Sequence, residues 1–200
     1  MARADEHDES ILDAAEKLFA QIGYDSTTLR MISEVAGGDV TVTELEERGK
    51  QQIYRQVFSR LYNIELEQIT SAVRDTSNTI EGIHAAVDAF LDFVVEHSAL
   101  PSLWRHRGLG DAADVPFGQR DYLAPLLVVL TTTPWEGISP KLNLRFLAWV
   151  TVWTSGAFVH DGFVDETGTR VFYRDARALQ SFRSQLHELW DALNGTDTPR

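Results

Sequence analysis

The chain has 200 residues, 44% hydrophobic and 24% charged, with 18 Lys and Arg against 30 Asp and Glu for a formal net charge of −12. That length and balance suit one large or two small globular cores and argue against disorder throughout. The lack of cysteine excludes disulfides and thiolate metal sites, and an acidic chain is repelled by nucleic acid unless its cations are gathered on one face.

Residues 1–10, MARADEHDES, carry neither the basic start nor the apolar stretch of a secretory signal and are expected to form a frayed tail. Ile11, Leu12, Ala15, Leu18, Phe19 and Ile22 then recur at spacings of three and four, which predicts a helix closed by Gly23. Asp25, Ser26, Thr27 and Thr28 offer side-chain oxygens to the free amides of a second helix, with Leu29, Ile32 and Ala36 on its buried face and Gly37 at its end. Two short helices joined by a polar turn predict the front half of a helix-turn-helix. Residues 38–47, GDVTVTELEE, hold four acids and no base. Their β-branched run is a poor helix former, and Thr43-x-x-Glu46 reads as a capping box, so the third helix should be short or distorted and begin near Glu44.

The set Ile11, Ala14, Ala15, Leu18, Phe19, then Gly23-Tyr24, Thr27-Thr28-Leu29-Arg30, Ile32 and Ala36-Gly37 resembles the N-terminal domain of TetR-type bacterial transcriptional regulators, over residues 8–58. The resemblance implies an all-α fold: a TetR-like three-helix helix-turn-helix head, residues 1–48, on a larger helical ligand-binding and dimerisation bundle, residues 49–200. It also implies duplex DNA, a small-molecule effector and a second copy of the chain as partners. In the family a Thr at the start of the second helix and a Lys at the start of the fourth contact phosphates; these match Thr27 or Thr28 and Lys50. With Arg30, Thr41, Thr43 and Arg48 they make up the candidate DNA-binding set. The third helix departs from the family. Thr43 and Glu44 replace a Leu-Tyr pair, Glu47 stands where an aromatic ring normally anchors the helix, and Asp39, Glu44, Glu46 and Glu47 all oppose phosphate contact. Over residues 1–60 seven cations face twelve acids, a net of −5, so DNA affinity should be weak or strongly lowered by salt. The threonines serve equally well as plain caps and Arg30, Arg48 and Arg55 as plain surface charges.

Past Lys50, the pattern Ile53, Val57, Leu61, Ile64, Ile69 and Val73 predicts a long helix, which in the family transmits ligand occupancy to the heads. A helix over 79–98 follows, with Pro101 beyond its end, then a loop over 101–121 that contains a short amphipathic piece at Leu103-Trp104. Residues 122–131 predict a short buried helix. Ser139-Pro140 should open a helix that is apolar nearly all round through Phe158 and needs cover on more than one side. Asn143, Arg145, Thr151 and Thr154 interrupt it, which argues for a buried helix and against a membrane span. The last helix, 175–193, carries Leu179, Phe182, Leu186, Leu189 and Leu193 in a seam that, with Trp190, is the candidate dimer interface; completing a monomeric core is its other use. Gly195 ends it, and the final TDTPR is expected to be loose.

The sequence holds no nucleophile elbow, HExxH motif, phosphate loop or dinucleotide fingerprint, so no catalytic residue, metal or cofactor is assigned and the chain is not expected to be an enzyme. His187 and Asp191, four apart, read as an exposed polar pair before a metal site, and His160 as a helix C-terminal charge. Trp104, Trp149 and Trp153 offer flat apolar surfaces and His106, Arg107 and His160 polar anchors, which makes these six the candidate ligand-binding set. Two functions stay open: a ligand-responsive regulator that binds operator DNA as a dimer, or a TetR-fold protein that has lost DNA binding and acts as a small-molecule sensor or protein-interaction module. Either is expected to be cytoplasmic and free of the membrane.

Overall fold

The structure, a computed structural model, describes residues 2–195, so the expectation for residues 196–200 lies outside the described residues. Among the described residues the chain is all-α apart from one two-stranded hairpin, and it divides into two compact units. The first comprises Met1–Asn63 and Ala99–Gly118, the second Ile64–Ser98 and Gln119–Arg200.

In the first unit α1 spans Ala2–Ile22, so residues expected to fray are helical from Ala2 onward. Gly23 ends the helix at φ +82, a backbone region that an L side chain rarely enters. The turn that follows is tied by Asp111, whose two carboxylate oxygens accept from the Tyr24 and Asp25 amides at 2.7 and 2.8 Å. α2 spans Leu29–Ala36 and opens on Thr28, whose hydroxyl oxygen accepts from the Met31 amide. α3 spans Val42–Arg48. It is short, as its composition dictates, but its cap is Thr41, accepting from the Glu44 amide, and not Thr43; Val42 and Thr43 are already helical.

α4 spans Lys50–Arg74, and its first part belongs to the first unit. α6, over Ala99–Gly108, replaces much of the expected loop; Pro101 lies inside its first turn, where a missing amide costs no helical hydrogen bond. The unit closes on Ile11, Phe19, Ile32, Leu45, Ile53, Tyr54, Val57, Phe58, Leu61 and Leu103, all essentially inaccessible. Tyr54 sits at the centre of the aromatic packing, its ring centroid 4.9 Å from Phe19, 4.8 Å from Tyr24 and 5.1 Å from Phe58.

The second unit holds the rest of α4, α5 (Ile80–Glu96), α7 (Gln119–Tyr122), α8 (Ala124–Thr132), α9 (Leu144–Asp161) and α10 (Ala176–Asn194). Asp175 caps α10 through the Arg177 and Ala178 amides. Two expectations change here. α8 is not a buried helix: none of its residues is fully buried and Val128 is 53% exposed. α9 opens at Leu144 under an Asn143 cap, while Ser139 and Pro140 lie in a turn outside it. Between α9 and α10 a hairpin pairs β1 (Phe163–Val164) with β2 (Arg170–Val171), its turn held by Asp165 accepting from the Thr167 and Thr169 amides. Across the α5–α10 contact Arg183 reaches Asp88 at 2.8 Å and also pairs with Asp92, His187 reaches Asp88 at 2.9 Å, and His84 reaches Asp191 at 3.0 Å. His187 and Asp191 thus each pair with a residue of α5, and no group of three or more His, Cys, Asp or Glu placed to hold a metal ion occurs among the described residues. Among the described residues no helix is long and apolar enough to cross a membrane.

Candidate nucleic-acid interface and bundle cavity

The helix-turn-helix is α2, the turn over residues 37–41, and α3. The turn is pinned from within by the Ser33 hydroxyl, which donates to the Val40 carbonyl at 2.7 Å. Leu45 is fully buried and fixes α3 by one face, which leaves Thr43, Glu46 and Glu47, three and four residues apart, exposed together on the other. The candidate DNA-binding residues therefore divide. Thr28, Arg30, Thr41 and Thr43 are exposed. Thr27 is fully buried, its hydroxyl donating to the Gly23 carbonyl at 2.6 Å, which leaves Thr28 as the accessible member of that pair.

The two remaining cations are engaged inside the unit. Arg48 donates to Asp8 and to Gln56, both at 2.7 Å, and Lys50 donates to the carbonyls of Tyr24 and Thr27 at 2.9 Å each. Of the acids opposed to phosphate contact, Glu44 is paired with His7 at 2.8 Å, while Asp39, Glu46 and Glu47 are exposed.

The candidate ligand residues do not converge. Trp104, His106 and Arg107 belong to the first unit: Trp104 packs edge-on against Phe58 at 5.0 Å, and Arg107 donates to the Phe117 carbonyl and lies over its ring. Trp153 is 60% exposed and His160 is exposed. Trp149 alone of the six lines the cavity of the second unit, a space of about 80 Å³ walled by residues from α4, α5, α8, α9 and α10 that include Ile69, Phe90, Leu126 and Trp190.

Sequence reasoning missed the one ionisable group among the described residues of that wall. Glu65 is 3% exposed, and no described residue gives it a hydrogen bond or an ion pair. Burial pushes its carboxyl up to about 8. The signal was present in α4, where Ile53, Val57, Leu61, Glu65, Ile69 and Val73 are spaced by four throughout, an acid set into an otherwise apolar stripe. Within the candidate dimer seam Leu186 and Trp190 are buried in the chain's own unit, Trp190 donating to Thr151 at 3.2 Å, while Leu179, Phe182 and Leu189 are half-buried and Leu193 is exposed.

Residues 11–40 match the model of bacterial regulatory proteins of the tetR family. The match runs through α2 and the turn and ends just ahead of α3. The chain is 26% identical over 87 residues to the HTH-type transcriptional regulator YhgD of Bacillus subtilis, and 30% identical over 95 residues to the HTH-type transcriptional activator FasR of Mycolicibacterium smegmatis. These alignments cover 44% and 48% of this chain, and it spans less than half the length of either relative, 46% and 43%. In fold it is similar to the fatty acid degradation regulator FadR from Bacillus halodurans, at a TM-score of 0.70 and 16% identity over 96% of this chain and 97% of the other. A mutant of the HlyIIR protein is similar at a TM-score of 0.55 and 16% identity, over 92% and 97%.

Proposed function

The N-terminal helix-turn-helix of this chain is of the tetR family, and from it we propose that the protein is a ligand-responsive transcriptional regulator that binds operator DNA as a homodimer. The carrying observation is the capped pair of helices within the matched segment and just beyond it. Thr28 and Arg30 at the exposed start of α2 suit phosphate contact, and Thr43 lies on the face of α3 that a major groove would meet. Residues 1–48 act as the head and 49–200 as the ligand-binding and dimerisation domain. The effector occupies the apolar cavity of the second unit, and the exposed Phe146, Trp153 and Leu193, with half-buried Leu179, Phe182 and Leu189, supply the dimer face. Effector binding shifts the population of head arrangements and with it the operator affinity.

A second reading, a TetR-fold protein that has lost DNA binding and serves as a small-molecule sensor or protein-interaction module, is favoured by one observation. Arg48 and Lys50 each donate to partners within the first unit while Glu46 and Glu47 project from α3. Selection from a pool of randomised duplexes separates the two. A regulator enriches an inverted repeat whose half-sites are spaced by about one helical turn or a multiple of it; a protein without DNA binding enriches nothing.

A further inference from the structure

A carboxyl group buried without a partner is costly, because neither water nor a counter-charge compensates its ionised form. Glu65 is such a group, and its position in the wall of a cavity gives it a use. The same wall carries three aromatic side chains, Phe90, Trp149 and Trp190. Aromatic faces attract cations, and desolvation strengthens that attraction. The chain's charge of −12 raises the local concentration of small cations and lowers that of anions.

Resting on the reading of this cavity as the effector site, we propose that it takes a compact lipophilic cation, an organic ammonium, with Glu65 as counter-ion and the three aromatic residues as its walls. A neutral apolar ligand leaves the Glu65 carboxyl without a polar partner, and a carboxylate ligand binds only beside the protonated acid and gains no ion pair from it. The cavity, about 80 Å³, is about half the roughly 150 Å³ that admits a benzene molecule. The enclosed part of the ligand is therefore an ammonium head with a few carbons. Among the described lining residues, drawn from α4, α5, α8, α9, α10 and Leu123 before α8, Glu65 is the one titratable group. With its pKa raised by burial, Glu65 holds a proton near neutral pH and gives it to solvent when the ammonium binds.

The test is calorimetric titration of the full chain, without DNA, with n-hexylammonium, n-hexanol and hexanoate at pH 7. The expected result is hexylammonium binding at least tenfold tighter than hexanol, with close to one proton released to buffer. Glu65→Gln should erase that preference and the proton release while hexanol affinity stays within twofold, which shows the cavity intact. Equal or tighter binding of hexanol or hexanoate overturns the proposal, as does a preference for hexylammonium that survives in Glu65→Gln, or no binding by any of the three. Because no DNA is present, a chain that reads an operator can fail this test and one that reads none can pass it.

Discussion

The Lys50 ammonium lies 4.2 Å from the centre of the Tyr24 ring and donates to the Tyr24 carbonyl at 2.9 Å, so the first residue of α4 is bound to the turn between α1 and α2. Its second acceptor is the Thr27 carbonyl. An ammonium has three donors, which leaves a third for a phosphate. Lys50 is thus a structural pin first. Lys50→Ala should lower stability by about 2 kcal/mol in the absence of DNA, from lost charge-assisted bonds and a cation–π contact. Urea denaturation followed by tryptophan fluorescence measures this, and an unchanged midpoint would show that the pin carries no load.

Asp111 holds the other side of the same turn. Its carboxylate accepts from two adjacent amides, and a Cβ built on Gly23 would lie 3.0 Å from its Oδ1. Asp111→Ala leaves both amides without that acceptor and should cost about 2 kcal/mol, with Asp111→Asn recovering part of it. Comparative denaturation of the two variants decides the matter; an alanine variant as stable as the parent would contradict it.

How much of this was legible in the chain depends on range. The helix-turn-helix could be read from residues 11–37 because stripe, cap and C-terminal glycine are local signals within a few turns. Thr41 displaced Thr43 as the cap because Leu45 must face inward, and that register starts the helix at Val42. Asp111 could not be read, since its amides lie 86 and 87 residues away. Trp104, His106 and Arg107 were grouped with the bundle tryptophans on chemistry alone, whereas α6 places them in the first unit. Glu65 breaks a spacing of four, but the adjacent Ile64 completes the apolar pattern without it, so the stripe alone does not single out the acid.

Glu46 and Glu47 share an exposed face of α3 with Thr43. Removing both charges in a Glu46→Gln, Glu47→Gln variant should raise affinity for random duplex DNA roughly fivefold at low salt, since in the proposed complex each would face several phosphates across water. The dependence on salt should keep its slope, because no phosphate contact is added. Fluorescence anisotropy measures both, and a loss of affinity would mean that the acids accept from bases and do not repel the backbone.

Glu65 makes stability depend on pH. Its carboxyl rises from 4.5 to about 8 on folding, so the folded state holds a proton that the unfolded chain has released over that window. Stability is therefore full below pH 4.5 and falls as pH rises towards 8, at up to about 1.4 kcal/mol per pH unit from this one site and roughly 3 kcal/mol in all by pH 7. Glu65→Gln should flatten that decline and raise the denaturation midpoint at pH 8 while changing little at pH 4.5. A variant with the parent's full decline between those pH values would place the effect elsewhere.

The measurement that bears most directly on the head as a DNA-docking module is a salt titration of full-length protein on random-sequence duplex. Binding should be measurable at about 20 mM salt, with log affinity falling against log salt at a slope near −0.9 for each phosphate contacted and steeper than about −3 overall. No binding at that low salt, or binding indifferent to salt, would contradict it.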